Sequence, residues 1–330
     1  MKIISHSDID RSAWRELVRE SRTGSWFQLP EAYEFFAQQP SLFKPFVVAI
    51  EDCELRGVCV GYVTKEKNAI RQFFTRRAII IGGPCLADDC TDEEVVALMT
   101  AVRENLHAQA IYIESRNFND YSRWKTAFEK AGFDYQEHLN FHVNCSDAEQ
   151  LWERLSDNRK RQIRKAESLV VAELAADEKE IREWYKVLEK LYQTKVKTPL
   201  WPVEFFVEAF RQGVGMFMLV KSDGQVIGGS MLAVLEGRCV YEWFECGLNA
   251  AFREQYPSVM ATYSGMKFAA DAHIPKYDMM GAGKPGVPYG VRDFKSEFGG
   301  ELVEHGRYLS VCKPCLYKLG ALGVRMLKRE

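Results

Sequence analysis

Residues 215–246, GMFMLVKSDGQVIGGSMLAVLEGRCVYEWFEC, contain the clearest strand pattern in the sequence. Short segments with Asp-Gly or Glu-Gly separate its apolar runs, and turns of this kind join antiparallel neighbours in hairpins. The stretch therefore predicts a three-stranded meander. Its parts are the runs 215–221, 225–234 and 239–246 and the turns Ser222-Asp223-Gly224 and Glu236-Gly237.

The first half of the chain has a similar order of predicted elements: helices, then apolar strands, then helix–strand units. Its predicted strands are 46–50, 58–63, 78–81 and 110–114. Runs of strands followed by helix–strand units imply a mixed sheet in each half. We therefore expect an α/β fold of two domains, 1–145 and 146–330, divided near Cys145-Ser146-Asp147.

Four longer segments are each predicted as a single element. Apolar periodicity, caps and turn residues define their limits. They are an extended segment over 133–144, a helix over 151–167, a strand over 301–311 and a helix over 314–328.

Charge and composition exclude several classes of protein. The 330 residues include 44 Lys and Arg against 46 Asp and Glu, so a surface that binds nucleic acid all over is not expected. No stretch approaches 18 apolar residues and no secretory signal is evident, so a cytoplasmic protein is predicted. The nine cysteines then serve mostly as small buried side chains.

The sequence predicts no metal site and no tightly bound cofactor. Cys312 and Cys315 have CxxC spacing, but two further zinc ligands at matching spacing are missing. The six histidines are scattered along the chain. The G-x-S-x-G and H-E-x-x-H patterns are also absent.

A basic stretch, NRKRQIRKA at 158–166, is the first candidate site. Arg161 and Arg164 are three residues apart and share one face of the predicted helix. Two guanidinium groups on one face can hold a phosphate. The alternative is an ordinary solvated helix face.

The second candidate is the loop YDMMGAGKPGVPYGV at 277–291 with the segment RDFKSEFGG that follows it. Glycines such as Gly281 and Gly283 let backbone N–H groups approach a ligand closely. Lys295 lies next to this loop, where a cation can hold a phosphate or stabilise a developing oxyanion. The alternatives are a structural loop and a surface lysine.

Glu114 is the third candidate, because it ends the apolar strand 110–114. A carboxylate at such a position can orient or deprotonate an amine. The alternative is a solvated strand end.

Several segments in the same order resemble the FemABX-like aminoacyltransferases, which are FemAB-type members of the GNAT superfamily. SWFQLPEAY at 25–33 is similar to an N-terminal F-x-Q-s-x-x-W segment, with Tyr33 in the aromatic place. IYIES at 111–115 is similar to a strand ending in an acidic residue and Pro, with Ser115 replacing the Pro. The other matching segments are RQIRKA at 161–166, DGQVIGG at 223–229, Tyr277-Asp278 and FKSEFG at 294–299.

This resemblance implies two GNAT-like domains facing each other across a cleft. It implies an acyltransferase that moves an activated aminoacyl or acyl group onto an amine of a peptidoglycan or polysaccharide precursor of the cell envelope. The donor would be aminoacyl-tRNA or acyl-CoA. Lys295 and Glu114 are the implied catalytic residues. The predicted substrate-binding residues are Tyr33, Arg161, Arg164, Tyr241, Asp278, Gly281, Gly283 and Tyr289.

Two departures from the family keep alternatives open. The acetyl-CoA signature Q/R-x-x-G-x-G/A is replaced by REQYPSVM at 253–260, which argues against an acetyl-CoA cradle. The helical arm suspected of helping to bind tRNA is missing, because the helices predicted over 179–194 and 203–212 are short. An acyl-CoA-dependent N-acyltransferase of a polysaccharide or lipopolysaccharide pathway, and a non-catalytic module binding a glycan precursor or tRNA, therefore remain alternatives.

The predicted C-terminal helix has a basic amphipathic pattern. Cations, among them Lys318 and Arg325, flank leucines such as Leu319 and Leu322. The pattern fits peripheral contact with the inner membrane surface or docking on the core of the domain.

Overall fold

The computed structural model describes residues 1–66 and 68–327, with side chains outside 69–71 and 321–327. Its internal contacts divide the chain into two units. Unit 1 is Met1–His138 with His305–Glu330, and unit 2 is Leu139–Glu304. The chain therefore leaves unit 1 after His138 and returns to it at His305.

The helices and strands follow one another in chain order. Up to His138 they are β1 (Lys2–Ser5), α1 (Arg11–Glu20), α2 (Pro30–Ala37), β2 (Phe43–Asp52), β3 (Glu54–Thr64), α3 (Ala69–Thr75), β4 (Ala78–Gly82), β5 (Cys85–Leu86), α4 (Asp92–Leu106), β6 (Tyr112–Asn117), α5 (Lys125–Lys130) and β7 (Asp134–Gln136). Unit 2 has β8 (Leu139–Asn144), α6 (Ala148–Arg154), α7 (Asp157–Ala166), β9 (Val171–Leu174), α8 (Glu178–Leu191), α9 (Val203–Arg211), β10 (Met216–Ser222), β11 (Gln225–Leu235), β12 (Cys239–Gly247), α10 (Pro257–Asp271), β13 (Lys276–Asp278), α11 (Gly290–Ser296) and β14 (Glu301–Glu304). The chain ends with β15 (Arg307–Val311) and α12 (Pro314–Leu327) in unit 1.

Each unit is built on its own mixed sheet, which confirms the predicted fold class. In unit 1 the strand order is β1-β2-β3-β4-β6-β15-β7, with β5 beside β3 and a parallel β4–β6 pair. In unit 2 the order is β14-β8-β13-β12-β11-β10-β9, with a parallel β12–β13 pair. Helix α4 packs its apolar face on the first sheet and α10 on the second, so each unit has its own core.

The chain passes from unit 1 to unit 2 after His138, whereas the predicted boundary is residue 145. The pairing of the strands explains this difference. The extended segment 133–144 is split, because β7 pairs with β15 whereas β8 pairs with β13 and β14. The single strand predicted over 301–311 is also wrong. It is interrupted at Gly306, whose φ is +63° and where a Cβ atom would lie 2.3 Å from the Tyr135 ring.

The helix predicted over 151–167 is two helices, α6 and α7. The chain is extended at Leu155 and Ser156, and the Ser156 hydroxyl accepts a hydrogen bond from the Arg159 N–H as an N-cap. Since a serine hydroxyl satisfies a donor that the helix itself leaves open, it favours a new helix start here.

The C-terminal helix α12 contacts the sheet of unit 1. The Tyr317 ring packs edge-on against the Tyr112 ring, with 5.3 Å between centroids, while Leu319 is exposed. Lys328 and Arg329, two further cations of the predicted amphipathic helix, lie outside the described residues, and the side chains of Leu322 and Arg325 are not described. In the described part of the chain, no helix has the length and apolar character needed to span a bilayer. All nine cysteines are free thiols, and only Cys53 and Cys315 are exposed.

Gln28 of the SWFQ segment joins two strands of unit 1. Its side-chain amide donates to the Val60 and Ile81 carbonyls at 3.0 and 2.9 Å, and its oxygen accepts from the Val60 N–H at 2.8 Å. The backbone pairing of β3 with β4 ends at Tyr62 and Ile79. The side chain of Gln28 thus links β3 to β4 beyond the point where their backbones stop pairing.

Replacing Gln28 with Ala should strongly destabilise unit 1. Buried backbone groups of Val60 and Ile81 would lose their partner, which costs about 1–3 kcal/mol for each such group. Urea unfolding at pH 7 should show a free energy of unfolding lower by roughly 2–4 kcal/mol. Gln136→Ala, at an exposed position of β7, is the control and should stay near the wild type; a small loss for Gln28→Ala would contradict this role.

Candidate active site

A β-bulge in β12 puts two glutamates on one face of the sheet in unit 2. Leu232 of β11 pairs with Glu242, whereas the preceding Met231 pairs with Phe244, so Trp243 has no partner in the ladder. Glu242 and Glu245 are three residues apart and would point to opposite faces of a regular strand. With the bulge, both face α10.

Glu242 is buried and held by hydroxyl groups. Its Oε1 accepts hydrogen bonds from Thr262 of α10 at 2.8 Å and from Tyr277 at 3.0 Å. Burial raises the pKa of Glu242, while the charge of Lys295 and these hydroxyl groups act in the opposite direction. The carboxyl group is therefore fixed in place but costly to ionise.

Glu245 has the more unusual environment. Burial raises its pKa to about 8, with a further contribution from the charge of Glu242 and an opposing hydrogen bond from Ser258 of α10. Its Oε1 is buried and has no hydrogen-bond partner among the described residues. A carboxyl group with a pKa near neutral and an open oxygen is suited to take up and release a proton.

Lys295 is also buried, with 8% of its surface exposed. Its ammonium donates hydrogen bonds to the Met279 carbonyl and, at 2.8 Å, to the Gly281 carbonyl. Burial lowers the pKa of Lys295, and the charges of Glu242, Asp278 and Glu245 counteract part of that effect. The alternative of a surface lysine is therefore wrong: Lys295 is buried against the glycine-rich loop, within range of the charges of both glutamates.

Asp278 stabilises the start of the same loop. It is fully buried and bonds Asn140 at 2.7 Å, His142 at 3.1 Å and the Met280 N–H at 2.8 Å. Burial would raise the pKa of Asp278, but His142, Lys276 and Asn140 lower it, so the group stays ionised. Asp278 therefore acts as an anionic anchor for the loop.

The backbone of the glycine-rich loop is largely used inside the protein. The N–H groups of Met280, Gly281 and Ala282 donate to Asp278, Asn140 and Leu139. Gly283 has φ +77°, and a Cβ atom there would lie 2.9 Å from the half-exposed Tyr289 ring. At 280–282, a ligand would meet carbonyls and side chains rather than free N–H donors.

The basic stretch contributes a different arginine from those predicted. Arg159 is buried between the Phe294 and Phe298 rings, with its Cζ atom 4.5 and 4.9 Å from their centroids. Arg161 and Arg164 are exposed; Arg161 bonds Asn158 at 2.9 Å, and Arg164 lies over the Trp152 ring. Helix α7 therefore supports α11 through Arg159, while the predicted pair faces solvent.

The remaining predicted residue of unit 2, Tyr241, is fully buried on β12, beside Asp278 in the strand register. Its ring lies in the interior of the unit and is not exposed to a ligand in solvent. The structure thus brings Lys295, Asp278 and Gly281 together and adds Glu242 and Glu245, which the sequence analysis missed. Two glutamates in the otherwise apolar run CVYEWFEC were the available signal.

Unit 1 holds the other two predicted residues. Glu114 on β6 forms ion pairs with Arg116 and Arg307 at 2.9 and 2.7 Å. Burial would raise the pKa of Glu114, but the two arginines lower it to about 2. A carboxylate of this kind is a poor base at neutral pH, so of the two suggested roles orienting is the better match. Tyr33 stacks on His6, with centroids 4.3 Å apart.

No cluster of metal-ligating side chains occurs within the described ranges.

Comparison with known proteins agrees with this architecture. Residues 137–296 match the family model described as an acetyltransferase (GNAT) domain, which covers most of unit 2. No curated protein sequence matches the chain significantly.

Solved structures resemble the whole chain in fold. FemX superposes with a TM-score of 0.74 at 15% identity, covering 97% of this chain and 99% of that one. A C-terminal domain from Agrobacterium fabrum, named for a lysylphosphatidylglycerol synthetase, has a TM-score of 0.57 at 12% identity, covering 96% of both chains. A tandem GNAT protein from the clavulanic acid biosynthesis pathway has a TM-score of 0.56 at 8% identity, covering 94% of this chain and 98% of that one.

The match of residues 137–296 to an acetyltransferase (GNAT) domain supports an acyltransferase. The chain as a whole has the FemX-like fold of two mixed sheets.

The raised pKa of Glu245 predicts a specific pH dependence of stability. The folded protein holds this proton up to about pH 8, whereas the unfolded chain releases it near the ordinary value of 4.5. Between these values the free energy of unfolding falls as pH rises, by about 1.4 kcal/mol for each pKa unit of difference. Glu245→Gln should remove this decrease.

Urea unfolding at a series of pH values from 5 to 9 measures the effect. The exposed Glu236→Gln variant is the control and should follow the wild type. If Glu245→Gln and the wild type lose stability in parallel, Glu245 does not hold a proton at neutral pH.

Proposed function

We propose that this protein transfers an activated aminoacyl or acyl group onto an amine of a cell-envelope precursor. The observation that carries the proposal is the cluster of buried Lys295, buried Glu242 and half-buried Glu245 within the GNAT-matched segment. The acceptor is proposed to be a nucleotide- or lipid-linked precursor of peptidoglycan or another polysaccharide. The fold shared with FemX and the Agrobacterium domain supports this choice.

The reaction needs no covalent intermediate on the enzyme, because the donor is already an activated ester or thioester. The amine nitrogen attacks the carbonyl carbon, and a tetrahedral oxyanion forms. The nitrogen then loses a proton, and the donor's oxygen or sulfur departs. Positioning and electrostatic stabilisation would supply most of the rate.

Glu245 is the proposed proton acceptor. A base works best when its pKa lies near the working pH, and the pKa of Glu245 at about 8 meets that condition better than that of Glu114 at about 2. Its Oε1 atom, which has no hydrogen-bond partner among the described residues, is the proposed site of that proton.

Lys295 is the proposed source of positive charge at the oxyanion. An ammonium has three donors, and two of them hold the Met279 and Gly281 carbonyls. This arrangement fixes the charge in a buried setting, where it acts more strongly than in water.

Aminoacyl-tRNA and acyl-CoA are both proposed donors. The REQYPSVM segment precedes and opens α10 in unit 2, where Tyr256 is the N-cap residue and Pro257 the first helical residue. Pro257 removes one N–H donor from that terminus, which disfavours a pyrophosphate cradle there and favours the tRNA-linked donor. Either donor implies a cytoplasmic location.

We also propose, with less support, a non-catalytic binding role and contact with a membrane. A non-catalytic module would bind the same ligands without turnover. Peripheral contact with the inner membrane surface would use α12, whose Leu319 is exposed. The packing of Tyr317 on Tyr112 favours docking of that helix on unit 1.

Lys295→Ala should lower turnover by roughly 10²–10³, the usual loss for one transition-state donor. The assay follows acyl transfer to an amine acceptor identified by the ligand experiment below. Lys284→Ala, an exposed lysine of the same loop, is the matched control. Thermal melting must show that both variants fold, and an unchanged rate for Lys295→Ala would remove this lysine from the mechanism.

Thermal stabilisation against a ligand panel tests the function itself. The panel contains acetyl-CoA, longer acyl-CoAs, charged and uncharged tRNA, UDP-linked sugars and muropeptides. A ligand at 100 times its dissociation constant adds about 2.7 kcal/mol to the free energy of unfolding. Stabilisation by charged tRNA or a UDP-muropeptide would support aminoacyl transfer. Stabilisation by CoA esters alone would indicate an ordinary acyl-CoA-dependent enzyme, and binding without turnover a non-catalytic module.

A further inference from the structure

Two arginines of unit 1 lie directly opposite each other on neighbouring strands. Arg116 of β6 and Arg307 of β15 are partners in the antiparallel register. Their side chains are 33% and 28% exposed, so neither guanidinium is fully surrounded by water. Like charges in this arrangement destabilise a sheet unless an anion lies between them.

Glu114 neutralises only part of this charge. Its Oε2 accepts from Arg116 Nε and Nη2, both at 2.9 Å, and its Oε1 accepts from Arg307 Nη1 at 2.7 Å. Among the described residues, it is the one carboxylate within 4 Å of either guanidinium. The single negative charge of Glu114 therefore neutralises only one of the two positive charges.

Nearby groups do not supply the missing anion. Arg307 Nη2 lies 2.9 Å from His138 Nε2, which must accept this hydrogen bond as a neutral imidazole nitrogen. A third guanidinium, Arg77, immediately precedes β4 and bonds Tyr112 of the adjacent β6. Arg77, Arg116 and Arg307, here called the arginine cluster, thus carry three positive charges beside the single charge of Glu114.

We propose that the arginine cluster binds a phosphate group of a ligand. A guanidinium presents two parallel N–H donors that match two phosphate oxygens, and the excess charge of two matches a phosphate dianion. Glu114 is then a positioning residue, because its two oxygens set the orientation of Arg116 and Arg307. Arg77 is exposed, whereas Arg116 and Arg307 are half-buried.

This site is made only of unit 1 residues and does not require the reaction proposed for unit 2. Its test therefore uses binding alone. Lys295→Ala should bind phosphate as the wild type does, so that loss of turnover and loss of phosphate binding can be told apart.

The experiment measures binding of inorganic phosphate and pyrophosphate by calorimetry at constant ionic strength, with succinate as the carboxylate comparison. Arg116→Gln and Arg307→Gln should each weaken pyrophosphate binding about 10–100-fold, the range for a charge-assisted hydrogen bond. Arg15→Gln is the control, because Arg15 forms an ion pair with Glu31 elsewhere in unit 1. It should leave binding unchanged.

Glu114→Gln separates a ligand site from a purely internal ion-pair network. It removes the competing negative charge, while the amide oxygen can still hold one of the two arginines, so pyrophosphate should bind more tightly than to the wild type. Should Arg307→Gln fail to fold because Glu114 is left partly unpaired, Glu114→Gln/Arg307→Gln removes both charges and should still bind more weakly than Glu114→Gln. Equal binding by the wild type and the arginine variants, no binding by any of them, or preference for succinate would each overturn the proposal.

Discussion

The bulge at Trp243 is the constraint on which the arrangement of unit 2 depends. Without the extra residue, Glu242 and Glu245 would lie on opposite faces of β12, and one of them would meet the aromatic side chains of α9. The bulge instead puts Trp243 and Phe244 against α9 and both carboxyl groups against α10. The positive charge of Lys295 lies near enough to both carboxyl groups to counteract part of the effect of burial on their pKa values.

The position of Lys295 in turn determines the glycine-rich loop. Its ammonium donates hydrogen bonds to two carbonyls of the loop, those of Met279 and Gly281. Two N–H groups of the same loop donate to the side chains of Asp278 and Asn140. Arg159 supports the helix that carries Lys295 by packing between Phe294 and Phe298. The glycine-rich loop, which resembles a ligand-binding loop, thus also holds the buried charge of Lys295 in place.

Glu114 and Glu245 show how the same side chain acquires opposite properties. Glu114 lies between two arginines, and its pKa is about 2 despite burial. Glu245 is half-buried, and loss of hydration together with the nearby charge of Glu242 raises its pKa to about 8. At neutral pH the first is a permanent anion that can orient cations, and the second can exchange a proton. Residue type alone could not distinguish them, because neighbours from other strands and helices make the difference.

The sequence by itself determined the two mixed sheets, the hairpins of β10–β12 and the importance of the segments around Gln28, Asp278 and Lys295. Those properties follow from local periodicity, turn residues and motif order. Tertiary structure alone decided that β15 returns to the first sheet, that Arg159 rather than Arg161 or Arg164 is buried, and that Glu242 and Glu245 share a face. Each of these outcomes depends on register and pairing between distant segments, which local sequence patterns do not encode.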